Sequence, residues 1–236
     1  MLLQVDGLEA GYGAKRVIDG VSLAVGEREI VAVLGHNGGG KTTLLNALFG
    51  VIRPTKGRVN FKDRDITGQK PSANVAAGIG YSPQGAEVFK SLTVTDNLLI
   101  GGFPLADQKS VAARIGGVQE LFPALYERRH IRAGSLSGGE RQMLALGTLL
   151  VSSPKLVILD EPSGGLSPLM VAKMYEAIEN IARKLDASVL LVEQDADNAL
   201  EIADRAYVMA NGRITFDGAA KELAASPDLP RLLLGF

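Results

Sequence analysis

Residues 35–43 read GHNGGGKTT, and Gly35, Gly40, Lys41 and Thr42 fall on the fixed positions of the pattern G-x-x-x-x-G-K-[ST]. Glycines at this density let consecutive backbone amides, here those of Asn37, Gly38, Gly39 and Gly40, turn inward around phosphate oxygens. An apolar run, IVAVL, precedes the stretch, and a helical pattern, KTTLLNALFG, follows it. The helix start then adds its positive dipole to the amides. Lys41 is placed to reach β- and γ-phosphates, the Thr42 hydroxyl to bind Mg²⁺, and the Thr43 hydroxyl to donate to an α-phosphate.

A second chemical group closes the run LVILDEP, residues 156–162. Ligands of a parallel sheet sit beyond the carboxyl ends of its strands, where Asp160 and Glu161 fall. Asp160 can hold Mg²⁺. Successive side chains diverge, so Glu161 can face and polarise a water that attacks the terminal phosphate. A third stretch, LSGGERQ at 136–142, begins a helix with a capping box of Ser137 and Glu140. Gly138 and Gly139 each cost that helix about 1 kcal/mol against alanine. They suit a helix start that another molecule approaches closely, with Ser137 and the free amides offered to a phosphate. The run LLVEQD, 190–195, places Glu193, Gln194 and Asp195 at the rim of a site.

The elements that must position these groups follow from periodicity and punctuation. Short strands bounded by Gly, Pro or charge fill the first sixty-odd residues: LLQVDGL, GVSLAV, REIVAVLG and GRVNFKDRDI. The helix between them shows Leu44, Leu45, Leu48 and Phe49 on one face and Gly50 at its C-terminal cap. Residues 92–150 carry helical patterns with little strand signal. After Pro154 strand and helix alternate again through KLVILD, PLMVAKMYEAIENIARKLD, SVLLVEQ, ADNALEIA and RAYVMA. That alternation predicts an α/β fold with a parallel sheet under helices, interrupted by a helical insertion. The expected division is a nucleotide-binding core at 1–84 and 151–236 with a helical subdomain at 85–150, all one domain of 236 residues.

With 25 Lys and Arg against 26 Asp and Glu, the net charge of -1 argues against a nucleic-acid partner. Without cysteine, disulfide and thiolate chemistry are excluded. The opening MLLQVDGLEA lacks the basic and apolar regions of a secretion signal, and no apolar stretch approaches the eighteen residues of a bilayer span. A membrane process served by this chain would draw its membrane part from another polypeptide.

Taken together and in order, GHNGGGKTT, LSGGERQ and LVILDEP resemble the ATP-binding subunits of ABC transporters, and the likeness runs from about residue 2 to 218. The resemblance implies a P-loop NTPase core of the ABC ATPase type, with an antiparallel β-subdomain and an inserted α-helical subdomain. It implies ATP and Mg²⁺ as cofactors and two such domains closing head to tail on two ATPs. Ser137, Gly138 and Gly139 would then act in trans, on ATP held by a second ATPase subunit, identical or not. Tyr12 matches the aromatic that stacks on adenine, as against a turn or core tyrosine. Gln84, in YSPQG, matches the glutamine that contacts Mg²⁺ and the attacking water. Ser163, in SGGLSP, matches the loop that crosses the dimer interface. Arg128, Arg129 and Arg132 read as a solvated face.

Most relatives carry a histidine where this chain has Gln194, and its only histidines are His36 and His130. A glutamine can donate to a γ-phosphate oxygen but cannot exchange a proton. LVEQ, together with AAGIGYSPQGAEVFKSLTVTDNLLIGG and the short tail, resembles the smaller ATP-binding subunit of branched-chain amino-acid importers (LivF type), with a urea-importer subunit much alike. Ala86 stands where that branch leads one to expect a basic residue. The implied partners are transmembrane permeases, with a periplasmic or extracellular solute-binding protein engaged indirectly. The implied location is the cytoplasmic face of the inner membrane, as a peripheral subunit. Phe89 and Leu92 are candidate permease contacts, unless they pack within the helical lobe.

Overall fold

Near-continuous apolar strands must be covered on both faces, and three consecutive neighbours in this chain are buried at every position. The computed structural model describes residues 1–85, 88–105, 107 and 109–234. Along the chain run β1 (Leu3–Tyr12), β2 (Lys15–Val25), β3 (Ile30–Leu34), α1 (Lys41–Phe49), β4 (Lys56–Phe61) and β5 (Arg64–Asp65). Next come α2 (Pro71–Ala77), β6 (Ile79–Ser82), α3 (Val94–Gly101), α4 (Lys109–Leu121), α5 (Pro123–Glu127) and, after a short 3₁₀ turn, α6 (Gly138–Val151). The chain continues with β7 (Leu156–Asp160), α7 (Pro168–Lys184), β8 (Ser188–Glu193), α8 (Ala196–Ile202) and β9 (Arg205–Ala210), and then β10 (Arg213–Ala219), α9 (Ala220–Ala224) and α10 (Leu229–Leu234).

Two sheets result. One is antiparallel, in the order β2-β1-β4-β5, and the other has six strands in the order β10-β9-β3-β8-β7-β6. In the second, β9, β3, β8, β7 and β6 are parallel and β10 turns back antiparallel along β9. The period of two divides each central strand between two cores. Ile30, Ala32 and Leu34 of β3, Val157 and Leu159 of β7, and Val189 and Leu191 of β8 join the helices α3 to α8 in one core. Val31, Val33, Leu156, Ile158, Leu190 and Val192 point the other way, to α1 and the antiparallel sheet.

Helix α1 is buried between the sheets through Leu44, Leu45, Ala47 and Leu48. Gly50 ends it in a left-handed cap at φ 86°, donating its amide to the Asn46 carbonyl. This sandwiching of α1 holds the 35–40 loop at the mouth of β3. Helices α3 to α6 are all inserted between β6 and β7. Thr93 and Asp96 close a reciprocal capping box that starts α3, and Leu98, Val118, Leu125 and Met143 pack this lobe onto the shared core. The strand β6, the helix α2 and the antiparallel return of β10 are additions to the expected alternation.

Candidate active site

The apolar run of β3 ends at Leu34, and the chain then wraps round the start of α1. A Cβ on Gly35 would lie 2.1 Å from the Met209 carbonyl oxygen at the end of β9, so only glycine fits there. The Gly212 amide donates to the Gly39 carbonyl at 3.0 Å, tying the loop to the β9–β10 turn. Inside the loop Lys41 is 4% exposed, and its ammonium donates to the carbonyls of Gly35 at 2.7 Å and His36 at 3.2 Å. The same ammonium lies 3.5 Å from a Glu161 oxygen. Gln84 reaches the other Glu161 oxygen with its side-chain amide at 2.8 Å. Residues far apart in the chain thus converge on one carboxylate.

Glu161 itself has φ 47°, a left-handed conformation that a side chain with a Cβ adopts at a cost. Its amide donates to the Val192 carbonyl of β8 at 2.9 Å. The turn after β7 is therefore clamped to the neighbouring strand, and the strained conformation aims Glu161 back at the loop. A cavity of about 380 Å³ opens there, lined by Asn37, Gly38, Gly40, Lys41, Thr42 and Thr43 with Val17, Gln84 and Glu161. A groove of about 540 Å³ lies alongside, lined by residues that include Phe49, Tyr81, Gln84, Ile100, Pro104 and Leu149. Gln84 is the residue common to the two linings.

Asp160 is 2% exposed, and neither of its oxygens has a hydrogen-bond partner among the described residues. Burial pushes its pKa up, and the Glu161 charge adds to this. The Thr42 and Tyr81 hydroxyls and Lys41 work in the opposite direction. The hydroxyls are near enough to favour the charged form without closing a hydrogen bond. A buried, unpartnered carboxylate beside a threonine hydroxyl fits a hard divalent cation, which takes oxygen ligands.

Ser137, Gly138 and Gly139 do not line the phosphate-loop cavity. The Ser137 capping box is formed: its amide donates to Glu140 at 2.8 Å, and the Glu140 amide to the Ser137 hydroxyl at 3.3 Å. The two glycines differ. A Cβ on Gly138 would meet nothing within 4 Å, whereas one on Gly139 would lie 2.7 Å from Met170 on α7. Gly139 is therefore also constrained by packing within the chain, a second use for glycine at that position. Arg128 is also more than a solvated charge, because its guanidinium pairs with Glu140 at 2.9 Å. Arg129 stacks over the Tyr126 ring.

Tyr12 ends β1 half exposed, with its hydroxyl 3.4 Å from the Asn46 side chain of α1. Ser163 follows Glu161 in the turn before α7. Gln194 is exposed just past β8. Glu193 is not at the rim as its sequence position implies: it is 2% exposed and accepts the Ser163 amide at 3.1 Å. The alternation of β8 carries it inward, and an acid ending an unbroken buried run was the signal. Phe89 is 58% exposed, so it does not pack within the lobe, while Leu92 is half-buried. Ala86 lies outside the described residues.

A family model described as ABC transporter matches residues 18–164, which hold the phosphate loop, Gln84, the LSGGERQ helix and the Asp160–Glu161 turn. The chain belongs to the ABC transporter ATPase family. The ATPase is 41% identical over 234 residues to the high-affinity branched-chain amino acid transport ATP-binding protein BraG of Pseudomonas aeruginosa, covering 99% of this chain and 100% of that one. It is 38% identical to the probable branched-chain amino acid transport ATP-binding protein LivF of Archaeoglobus fulgidus, over 99% of each chain. It is 33% identical to the lipopolysaccharide export system ATP-binding protein LptB of Escherichia coli K12, over 99% of this chain and 97% of that one. A crystal structure of an ATP-binding cassette of an ABC transporter in its ADP conformation superposes with a TM-score of 0.86 at 27% identity, over 98% of this chain and 97% of that one. The ATPase binds nucleotide and works as a subunit of a transporter. Among the described residues no helix is long and apolar enough to cross a membrane.

Proposed function

We propose that this ATPase powers a branched-chain amino-acid importer from the cytoplasmic face of the inner membrane. The similarity to BraG along the whole chain is the observation that carries the solute. The proposed partners are a second ATPase subunit, identical or different, and two permeases, with a solute-binding protein on the far side engaged through them. The groove beside Gln84 is the proposed permease seat, with Phe89 and Phe103 exposed on the same lobe.

Each side chain has a proposed task. Lys41 exchanges the Gly35 and His36 carbonyls for β- and γ-phosphate oxygens. The amides of the 35–40 loop and the Thr43 hydroxyl hold the remaining phosphates, and Tyr12 stacks on adenine. Asp160, Thr42 and Gln84 are placed to hold Mg²⁺, which when bound neutralises charge on the β- and γ-phosphates. Glu161, steadied by Gln84, orients the attacking water and draws its proton. Gln194 donates a hydrogen bond to a γ-phosphate oxygen. Ser137, Gly138 and Gly139 act on ATP held by the partner, and Ser163 touches that partner.

Uptake of labelled leucine, isoleucine and valine in cells lacking the gene tests the proposal. The intact ATPase restores uptake and Lys41→Ala, deprived of ATP affinity, does not. Restored uptake of urea alone would move the cargo to that solute, and restoration by Lys41→Ala would overturn the phosphate-loop assignment. The neutral Gln194 favours a second reading, a regulatory subunit that closes on ATP but hydrolyses slowly. Glu161→Gln in the assembled transporter decides between them: the first reading expects turnover to fall about 10²–10⁴-fold with ATP binding kept, and unchanged turnover supports the second.

A further inference from the structure

Glu193 is a carboxylate buried at 2% exposure in a fold whose other acids are nearly all at the surface. Such a group is costly unless hydrogen bonds hold it. One of its oxygens accepts the Ser163 amide at 3.1 Å, and the other accepts the Gln194 amide at 3.2 Å. The Tyr175 hydroxyl of α7 is buried beside it and has no hydrogen-bond partner of its own among the described residues. Glu161, Ser163, Gly164, Glu193, Gln194 and Asp195 together line one cleft of about 330 Å³. A single side chain therefore ties the Ser163 turn to the strand end at Gln194, beyond the Glu161–Val192 backbone bond that joins the two segments further back.

We propose that Glu193 is a positioning residue that fastens the turn at Ser163 to the strand end that carries Gln194. Contact made by the partner subunit at that turn is thereby passed to the glutamine. The proposal rests on the reading that Ser163 faces the partner and Gln194 the terminal phosphate. A carboxylate suits the task because both of its oxygens only accept, so neither amide is left without a partner. Glutamine in its place keeps the shape but turns one acceptor into a donor facing an N–H.

The test is Glu193→Gln, with Glu193→Ala beside it, in the assembled transporter and in the isolated full chain. One lost acceptor for a buried amide should lower kcat about tenfold, with KM for ATP and ATP affinity within about twofold. Hydrogen exchange should quicken at the Ser163 and Gln194 amides while Val189 to Val192 stay protected. Should Glu193→Ala fail to fold, the isosteric Glu193→Gln carries the result. An unchanged kcat overturns the proposal. So does faster exchange along the whole of β8 with ATP affinity lost in step, which is the signature of a merely structural residue. Lys41→Ala run in parallel separates the cases, since ATP affinity that survives that change refutes the nucleotide site and not the role of Glu193.

Discussion

Alanine at the two adjacent glycines of the LSGGERQ helix should give opposite results. Gly138 and Gly139 occupy the first turn of α6, where alanine is favoured over glycine by up to about 1 kcal/mol. At Gly138 a new methyl meets nothing within 4 Å, so that gain is kept whole. For a chain of this length about 1 kcal/mol raises Tm by about 2–4 °C. At Gly139 the new Cβ would lie 2.7, 2.8 and 3.2 Å from the Met170 Cε, Cγ and Cβ, where about 3.5–4.0 Å is normal for carbon atoms. The thioether end can swing away, but the Met170 Cβ is fixed to α7. Overpacking of this kind costs about 1–3 kcal/mol, which exceeds the helix gain. Gly139→Ala should therefore melt a few degrees below the parent.

Activity should then run against stability at Gly138. If phosphate of the partner's ATP rests on this helix start, a methyl there displaces it by about 1 Å, and turnover in the assembled transporter falls about 10²-fold. ATP binding to the isolated chain should not change, because Ser137, Gly138 and Gly139 are absent from its own phosphate cavity. Thermal unfolding of the chain, ATP titration and turnover of the assembly are the three measurements. A stabilised Gly138→Ala protein with full turnover would refute the trans arrangement. A destabilised one would refute the steric reasoning.

Asp160→Asn removes a buried, unpartnered charge, so without Mg²⁺ the variant should be more stable by about 1–3 kcal/mol. Burial raises the Asp160 pKa, so its contribution to stability is full below the ordinary carboxylate value and lost as pH rises through the raised one. The advantage of the variant should therefore grow with pH, while the extra rise in Tm that Mg²⁺ gives over ATP alone should shrink. A loss of stability in metal-free buffer would contradict this. Asp96 has the opposite sign: hydrogen bonds from the Thr93 side chain and amide lower its pKa. Its stabilisation is present above the ordinary carboxylate value and disappears as pH falls through the lowered one. Asp96→Asn should melt below the parent at pH 7 and with it in strong acid, and a gap independent of pH would exclude the capping charge as its cause.

The sequence was most legible where one residue type has one physical use. Gly35 had to be glycine against the Met209 carbonyl, Lys41 sits among loop carbonyls, and Gly50 caps α1 in the left-handed region. Strands β3, β7 and β8 read as buried because no polar residue interrupts them before the site. Less legible were features that depend on what lies across a gap. Nothing in LSGGERQ says that Met170 packs on the second glycine, or that Arg128 reaches Glu140 from the end of α5. Strand β6 contributes only four residues to the sheet edge, and Gly80 there makes room for Leu149. Its apolar signal is too short and too glycine-rich to separate from a turn. The left-handed backbone of Glu161 is equally hidden, because it belongs to a turn held against β8, which lies about thirty residues away in the chain.

On the proposed roles, coupling between the nucleotide and the groove would pass through a contact whose strength can be bounded. Gln84 lines both, and its amide holds Glu161 at 2.8 Å. An occupant that shifts the loop after β6 must therefore break or remake that bond. A hydrogen bond to a charged group contributes about 1.5–3 kcal/mol, which corresponds to about 10- to 150-fold in rate or occupancy. Lys41 holds the same carboxylate only at 3.5 Å, and phosphate competes for its ammonium. Once Lys41 turns to phosphate, Gln84 is, among the described residues, the remaining side chain that holds Glu161. On the proposed roles, the carboxylate that would orient water is then set by a residue at the edge of the proposed permease seat. Turnover that responds to the membrane partner by more than the single bond allows would need a second route, and the Glu193 bridge between Ser163 and Gln194 lines an adjoining cleft to which Glu161 also contributes.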